Sequence, residues 1–504
     1  MRKIYYTLLS LGIVATVFSS CSDWLDVRPS DEIKEEFLFE TGNGYRTALN
    51  GIYRKLSTQD LYGQNLSWGI VDALGEAHDY DIVSDVGGGN AMKKVSKRLF
   101  KDIELVPTTD AMWEAAWNIA ANCNNLAQQV ERADTTLFYK GEEERNMILG
   151  EAIGLRAYIQ FDLLRLYAPA PSTNPGERTF IPYVEEYPAY VNNKQTVAYC
   201  LDHVIKDLQK AQGLLKPIDE AQSFRVYERL EYIYDGEDRF LAERGYRLNY
   251  YAITALLARV YLYAGNLDMA YDEAMKIIKV QKDEGFFDFT DAYYISKNSN
   301  IKFYDDIIFT LYTTELIDWE LEINYSSEEQ AEYNQSYLCW HAEKVKDIFG
   351  NEQDDDYRLL YQFEKKYRGY RTLKYHKQEE KSSGGRWGNP MIPMIRMSEV
   401  YYIAAEAICD KNLAEARDYV ETVKEGRGVT VDLSSLDKNG LINMILNDVQ
   451  RELLGEGQVF FMFKRLNRQV LRYSGTGSSA KKTPILPTEE NFVLPLPDSE
   501  SNIK

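Results

Sequence analysis

The sequence predicts a mainly α-helical protein in which pairs of helices form a scaffold and irregular segments form a loop-rich lobe. Apolar residues recur at helical spacing over several long stretches, one pattern of small, aromatic and turn residues occurs twice, and two long segments interrupt the helical periodicity. Of the 504 residues, 45% are hydrophobic and 27% are charged. This composition excludes a disordered or collagen-like chain and is sufficient for a large buried core.

The first long helices are expected before and after an interruption of the periodicity. One helix covers about residues 45–56, with Thr41 or Asn43 as its N-terminal cap. After the interruption, Thr108 or Thr109 is expected to cap a helix that carries Trp113 and Trp117. These two tryptophans follow the helical period, so we assign them to the core.

The pattern that occurs twice matches the tetratricopeptide repeat, a 34-residue pair of helices. Ala258 and Ala270 lie twelve residues apart, on either side of a turn at Gly265. Ala404 and Ala416 repeat this spacing. Together with the earlier helices, three or four such units are expected to form a small solenoid.

The domain organisation follows from the order of the helical and irregular segments. The irregular lobe is assigned to residues 60–107 and 283–395, and a strand is expected between Ile307 and Tyr312. The repeat helices are assigned to about residues 111–167, 196–215, 247–282 and 396–426. Because lobe and repeats alternate along the chain, residues 21–504 are expected to form one intertwined domain.

The amino terminus resembles the signal of a bacterial lipoprotein. Arg2 and Lys3 precede an apolar run that ends at Phe18 and is short for a membrane span. Small residues then lead to Cys21, as in the lipobox, whose cysteine is acylated after cleavage. Residues 1–20 are therefore predicted to be a signal peptide and Cys21 the lipid attachment site. The alternative is an ordinary signal followed by an incidental cysteine.

Charge and motifs argue against several functions. With 58 basic and 78 acidic residues the net charge is −20, which makes nucleic acid an unfavourable partner. No nucleophile elbow, phosphate loop or dinucleotide fingerprint occurs, and the histidines lack metal-binding spacing, so we predict no catalytic residues, no cofactor and no metal. The acidic run at residues 354–356 is interpreted as a solvated turn. Four further cysteines are expected to be free thiols: Cys123, Cys200, Cys339 and Cys409.

Segments spread over nearly the whole chain resemble the SusD/RagB family of outer-membrane nutrient-binding lipoproteins from Bacteroidetes. The resemblance departs from the family pattern at Val459 and Met462, where charged residues are common, and at residues 421–424. The similar segments are residues 21–26, 113–125, 155–167, 258–262, 396–407, 451–465 and 495–497.

The resemblance implies tetratricopeptide helices on one side of the molecule and a ligand site in the irregular lobe. It also implies a lipid anchor on the cell-surface face of the outer membrane and a SusC-like TonB-dependent transporter as partner. Members of the family bind oligosaccharides, and some handle peptides. We therefore expect a glycan-binding protein and not an enzyme. A peptide-capturing member of the family and a helical polysaccharide-degrading enzyme are the alternatives.

Candidate ligand residues follow from the chemistry of sugars. A pyranose ring has an apolar face and a rim of hydroxyls, so its site requires aromatic rings beside carboxylates, amides or arginine. In the family, the loop after the first helix and the middle lobe converge on the ligand. The first loop contributes Tyr62, Asn65, Trp68, Asp79, Tyr80 and Asp81. The lobe contributes Asp318, Trp319, Tyr325, Tyr337, Trp340, Arg386 and Trp387. At least one of Trp68, Trp319 and Trp387 is expected to be exposed.

Overall fold

A computed structural model describes residues 35–83, 85, 87–188, 192–231, 238–297, 299–319, 338–366, 369–475 and 479–501. The predicted signal peptide, Cys21, Tyr325 and Tyr337 lie outside these residues. Within them, no helix is both long enough and apolar enough to cross a membrane.

The prediction of a mainly α-helical fold is confirmed. The longest helices, α5, α6 and α7, have 27, 26 and 23 residues. The helices are α1 (Glu35–Leu38), α2 (Gly42–Leu56), α3 (Ile70–Leu74), α4 (Gly89–Ser96), α5 (Val106–Arg132), α6 (Glu142–Tyr167), α7 (Val197–Asp219), α8 (Val226–Leu230), α9 (Tyr250–Ala264), α10 (Leu267–Glu284), α11 (Ala292–Lys297), α12 (Ala342–Phe349), α13 (Tyr357–Gln362), α14 (Met397–Ile408), α15 (Leu413–Glu425), α16 (Lys438–Glu452), α17 (Val459–Arg465), α18 (Glu489–Phe492) and α19 (Asp498–Ser501).

The strands are short and form small antiparallel sheets. Strand β3 pairs with β7, β6 lies between β4 and β5, and the pairs β1–β2 and β8–β9 are separate. The strands are β1 (Thr179–Ile181), β2 (Gln195–Thr196), β3 (Ile307–Tyr312), β4 (Cys339–His341), β5 (Phe363–Lys365), β6 (Gly369–Thr372), β7 (Met391–Arg396), β8 (Val470–Ser474) and β9 (Lys481–Ile485). The strand expected at Ile307–Tyr312 is therefore confirmed as β3.

The two copies of the repeat have equivalent structures. The pair α9/α10 turns at Gly265, which has a left-handed φ of 81°, and the side chain of Asn266 caps α10 by accepting from the Met269 N–H. In the pair α14/α15, the side chain of Asn412 caps α15 by accepting from the Glu415 N–H. Each capping asparagine lies four residues before the second alanine of its copy of the pattern. The four alanines of the pattern are fully buried: Ala258, Ala270, Ala404 and Ala416.

The repeat helices form one array. Helix α6 packs on α5 and α7, α7 packs on α9, and α9 packs on α10. Helix α14 packs on both α10 and α15, although more than 100 residues separate it from α10 in the chain. The lobe is therefore an insertion between two helices that are neighbours in space, as the interrupted periodicity indicates.

Helix α6 runs through the core. Every residue from Met147 to Tyr167 is buried, and the charged ones among them are paired. Glu151 accepts hydrogen bonds from Arg244 and Arg247, while Arg156 donates to Asp207. Because buried charges require partners, these ion pairs fix how the neighbouring segments pack on α6.

Some predicted details are confirmed and others are wrong. Thr41 is the cap of α2, with its hydroxyl oxygen 3.3 Å from the Gly44 N–H nitrogen, as one of the two alternatives predicted. The prediction that Thr108 or Thr109 caps the next helix is wrong, because α5 already begins at Val106. Proline fits the first turn of a helix, where its missing N–H has no intrahelical partner, so Pro107 does not delay the start.

The acidic run at residues 354–356 is not wholly a solvated turn. Asp354 and Asp355 are exposed, but Asp356 is fully buried and accepts two hydrogen bonds from the Arg358 guanidinium. Arg358 is buried as well and also donates to Asp448. The interpretation failed because Asp448 is about ninety residues away in sequence, where no local pattern connects it to the run.

Candidate functional site

The candidate site lies at one end of the β3–β7 ladder. Tyr312, the last residue of β3, is opposite Met391, the first residue of β7. Beyond that pair, the Thr313 N–H donates to the Pro390 carbonyl over 2.9 Å. The chain that leads to Trp319 and the chain that carries Arg386 therefore leave the ladder at the same end.

The first loop packs against the lobe near this end. The ring of Trp319 covers Gly63 so closely that a Cβ atom on Gly63 would lie 2.6 Å from the ring. The Asp79 N–H donates to the carbonyl of Cys339 over 2.8 Å, which joins the loop to β4. The structure thus brings the first loop and the middle lobe together.

Three of the predicted first-loop residues are structural. Tyr62 is buried and its hydroxyl donates to Asp162 over 2.7 Å. Trp68 is 1% exposed, and its indole N–H donates to the Gly63 carbonyl over 2.8 Å. Asn65 is buried and donates weakly to the Asp60 carbonyl. The indole of Trp68 consequently offers no face to a ligand in this structure.

The rest of the first-loop set is divided between the interior and the surface. Asp79 and Tyr80 are buried, and the carboxylate of Asp79 accepts from the Asp81 N–H over 3.2 Å. Burial raises the pKa of Tyr80 well above its ordinary value. Asp81 is exposed. In the lobe, Trp340 is fully buried against β5 and α12 and belongs to the core.

The remaining lobe candidates lie at or near the surface. Asp318 and Arg386 are exposed, and Trp319 is half-buried. Trp387 is buried, with 9% of its surface exposed, and packs in a small core cluster with Leu230, Tyr304, Ile307 and Met391. The exposed tryptophan that we expected is therefore represented only by Trp319, whose ring is partly covered by the first loop.

Trp387 is held by an ionic cluster at its edge. Its indole N–H donates to a carboxylate oxygen of Glu231 over 2.8 Å. The same oxygen lies 2.9 Å from a guanidinium nitrogen of Arg386, which also covers the Trp387 ring at 5.2 Å from its centroid. Carboxylate, guanidinium and indole are thus grouped in the arrangement that suits sugar hydroxyls.

Exposed tyrosines beside this cluster were missed by the sequence analysis. Tyr227, on α8, is 47% exposed with its ring centroid 6.4 Å from that of Trp387. Tyr312 is 51% exposed and contacts Tyr246 edge-on at 5.4 Å between centroids. Tyr312 could have been identified from the sequence, because it ends a predicted strand. Tyr227 could not, because the short helix α8 lies in a segment without a clear periodic pattern.

Two buried lysines hold the loops that form the site. The Lys302 ammonium donates to the carbonyls of Gly388 and Met391 over 2.6 and 2.8 Å, at the π-helical turn that carries Trp387. The Lys344 ammonium donates to the carbonyls of Glu76 and Ala77, in the first loop. Burial lowers the pKa of Lys344 to about 7. Both loops are therefore fixed by contacts from the interior.

Two large cavities lie away from the candidate ligand residues. A cavity of about 630 Å³ lies between residues 98–102 and 489–495, and another of about 520 Å³ lies between α7 and α10. Neither is lined by a predicted ligand residue. In the parts of the chain that the structure covers, no group of three or more His, Cys, Asp and Glu could hold a metal ion.

The fold and site define a helical-repeat scaffold with an aromatic surface face. The SusD family model matches residues 288–483, and a SusD-like model described as starch-binding associating with outer membrane matches residues 23–229. The chain belongs to the SusD/RagB family.

Relatives and solved structures cover almost the whole chain. SusD-like protein P2 of Formosa agariphila is 24% identical over 99% of this chain and 96% of its own. SusD-like protein P38 of the same organism is 22% identical over 99% and 98%. A SusD superfamily structure from Bacteroides thetaiotaomicron has a TM-score of 0.68 at 23% identity, covering 92% of this chain and 98% of its own. A structure from Bacteroides vulgatus, described as a putative sugar binding protein, has a TM-score of 0.68 at 21% identity, with coverages of 92% and 96%.

Proposed function

We propose that this protein is a cell-surface lipoprotein that binds oligosaccharides or polysaccharide and delivers them to a SusC-like TonB-dependent outer-membrane transporter. It acts as a binding protein and not as an enzyme. In this proposal the glycan contacts Trp319, Trp387, Asp318, Arg386 and Asp81. The segments that carry Trp319 and Trp387 leave the β3–β7 ladder at the same end.

The observation that carries this proposal is the grouping of rings and hydrogen-bonding groups around Trp387. Tyr227 presents an exposed ring close to the indole, while Glu231 and Arg386 present polar atoms at its edge. Aromatic faces bind the apolar C–H surface of a sugar, and the charged groups bind its hydroxyls.

The location and the partner are supported by the sequence and the family. The lipobox-like segment ending at Cys21 supports a lipid anchor, and the family description names association with the outer membrane. Replacing Cys21 with Ala should abolish incorporation of labelled palmitate and membrane association. Retention of both would contradict the anchor.

Delivery to a transporter is tested by purification from the outer membrane. The helical array provides an extended surface of the kind that repeat proteins use to bind other proteins. After solubilisation in mild detergent, the protein should co-purify with a large β-barrel protein. Recovery of the protein alone would contradict this part of the proposal.

Ligand class is tested by a polysaccharide panel and glycan array, with peptide pools measured in parallel and reducing-sugar release recorded. Binding to a glycan without release of reducing sugar is the expected result. Binding of peptides alone would favour the peptide-capturing alternative, and sugar release would favour an enzyme. Because a short ligand buries little surface on binding, we expect dissociation constants of roughly micromolar to millimolar for short oligosaccharides.

A further inference from the structure

Exposed carboxylates lie on the segments that carry the candidate ligand residues. Glu315 and Asp318 lie on the chain that leaves β3, and Asp81 lies on the first loop. Glu379 and Glu380 are exposed on the chain that leads to β7. Each of the segments that form the face therefore contributes at least one solvent-exposed negative charge.

Three exposed cations lie on the segment that leads to Trp387, namely Lys377, Lys381 and Arg386, and the first and last of them are paired with carboxylates. Arg386 forms an ion pair with Glu231, at 2.9 Å between nitrogen and oxygen. Lys377 forms an ion pair with Glu380, also at 2.9 Å. An anionic ligand would have to compete with a carboxylate for Arg386 and for Lys377, and the displaced carboxylate would remain beside the ligand.

We infer that the ligand of this face is a neutral glycan, and that the face excludes polyanionic glycans such as sulfated or uronic-acid-rich polysaccharides. This inference rests on the proposed function and specifies its ligand class. A neutral sugar stacks on the rings and carries no charge for the exposed carboxylates to repel. A sulfate or carboxylate group on the ligand is repelled by the exposed negative charges of these segments, and salt screens this repulsion with a Debye length of about 10 Å at 0.1 M.

The inference predicts the direction in which salt changes the affinity for an anionic glycan. A face that attracts an anionic glycan loses affinity for it as salt screens the attraction. Here the interaction is repulsive, so screening should increase the affinity for an anionic glycan. A neutral glycan carries no charge, so its affinity should depend little on salt.

The experiment compares a neutral polysaccharide that binds in the panel with its own sulfated derivative, using the full-length lipoprotein in detergent. Affinities are measured at about 20 mM NaCl, where screening is weak, and at about 300 mM NaCl, where it is strong. We expect the sulfated derivative to bind at least about tenfold more weakly at low salt and to gain at least about threefold at high salt. The neutral polymer should change less than about twofold.

Charge variants separate repulsion from a poor steric fit. The double variant Glu315→Gln/Glu380→Gln should bind the sulfated derivative about threefold more tightly at low salt, with neutral binding unchanged. The matched control Asp272→Asn/Asp418→Asn removes the same charge from exposed positions on repeat helices α10 and α15 and should have no effect.

Several outcomes would overturn the inference. Tighter binding of the sulfated derivative, weakened by salt, would overturn it while leaving the proposed function intact. If neither salt nor the Glu315→Gln/Glu380→Gln variant changed the weaker binding of the sulfated derivative, the discrimination would come from shape, and the inference would also be overturned. Binding of lysine-rich peptides in place of any polysaccharide, or no glycan binding, would overturn both the inference and the proposed function.

Discussion

The indole N–H of Trp387 and the carboxylate of Glu231 are joined by a 2.8 Å hydrogen bond between residues 156 positions apart in the chain. This bond joins the chain that follows α8 to the turn that precedes β7. The lobe surface is therefore built from both sides of the helix pair α9/α10, and its rings are oriented by contacts that are remote in sequence.

Glu231 is expected to orient Trp387 for binding. In Glu231→Ala the indole N–H and Arg386 both lose their partner, so affinity for the bound polysaccharide should fall about tenfold, consistent with loss of about 1.4 kcal/mol. Glu231→Gln keeps an oxygen that accepts from the indole and should lose less than half of that free energy. Isothermal titration calorimetry measures both. Equal losses in the two variants would show that the ion pair, and not the indole bond, matters.

Trp319 and Trp68 form a matched pair for separating binding from stability. Trp319→Ala removes a half-buried ring and should weaken binding about thirtyfold, about 2 kcal/mol, with a smaller loss of stability than Trp68→Ala. Trp68→Ala removes a buried ring and should cost about 3 to 5 kcal/mol of unfolding free energy. Affinity and thermal unfolding are measured for each. Full binding by Trp319→Ala would place the ligand elsewhere.

Gly63 is expected to tolerate no side chain. A Cβ atom would lie 2.5 Å from the Ser57 carbonyl oxygen and 2.6 Å from the Trp319 ring, so Gly63→Ala should cost about 1 to 3 kcal/mol of stability and displace the ring. Gly51→Ala is the control, because its Cβ would meet nothing within 4 Å on helix α2. That variant should be stabilised by about 0.5 to 1 kcal/mol. Denaturant unfolding compares the two, and equal stability changes would contradict the packing described.

The buried ion pairs predict a loss of stability in acid. Burial alone would raise the pKa of Asp448, but Arg358, Lys424 and Arg451 hold it below its ordinary value. The folded state therefore binds fewer protons than the unfolded state below about pH 4, the range in which an unfolded aspartate titrates. The stabilisation from Asp448 is complete above that range and is lost as the pH falls below it.

The variant Asp448→Asn tests the predicted loss of stability in acid. At pH 7 the variant should be less stable by about 3 to 5 kcal/mol, because it leaves buried cations with fewer partners. The difference from the natural protein should shrink as the pH falls below about 4. Urea unfolding over a pH series measures it. A difference that stays constant down to pH 3, or grows there, would contradict the account of this cluster.

The fold was predictable where the signal is local. Ala258 and Ala270 recur at the spacing of Ala404 and Ala416, and this pattern located both helix pairs. The ion pairs of the core were not predictable, because partners such as Asp356 and Asp448 are distant in sequence and any of the 78 acidic residues fits a local description equally well.

The contact between the first loop and the lobe was predictable from the sequence, whereas the exposure of each candidate residue was not. The first loop and the lobe do meet, but the accessibility of each ring depends on contacts that the sequence does not display. Trp68 has Ser67 and Gly69 as chain neighbours, yet its ring packs near Tyr375, about three hundred residues later. Tyr312 is accessible because it ends a strand whose other residues face the core.

The central claim is that a glycan binds at the end of the β3–β7 ladder, and hydrogen–deuterium exchange tests it most directly. With a bound oligosaccharide, the amides of residues 58–64, 313–319 and 384–390 should exchange more slowly, while those of α9, α10, α14 and α15 should not change. Protection confined to the repeat helices, or none at a saturating concentration of a ligand that binds, would contradict this account.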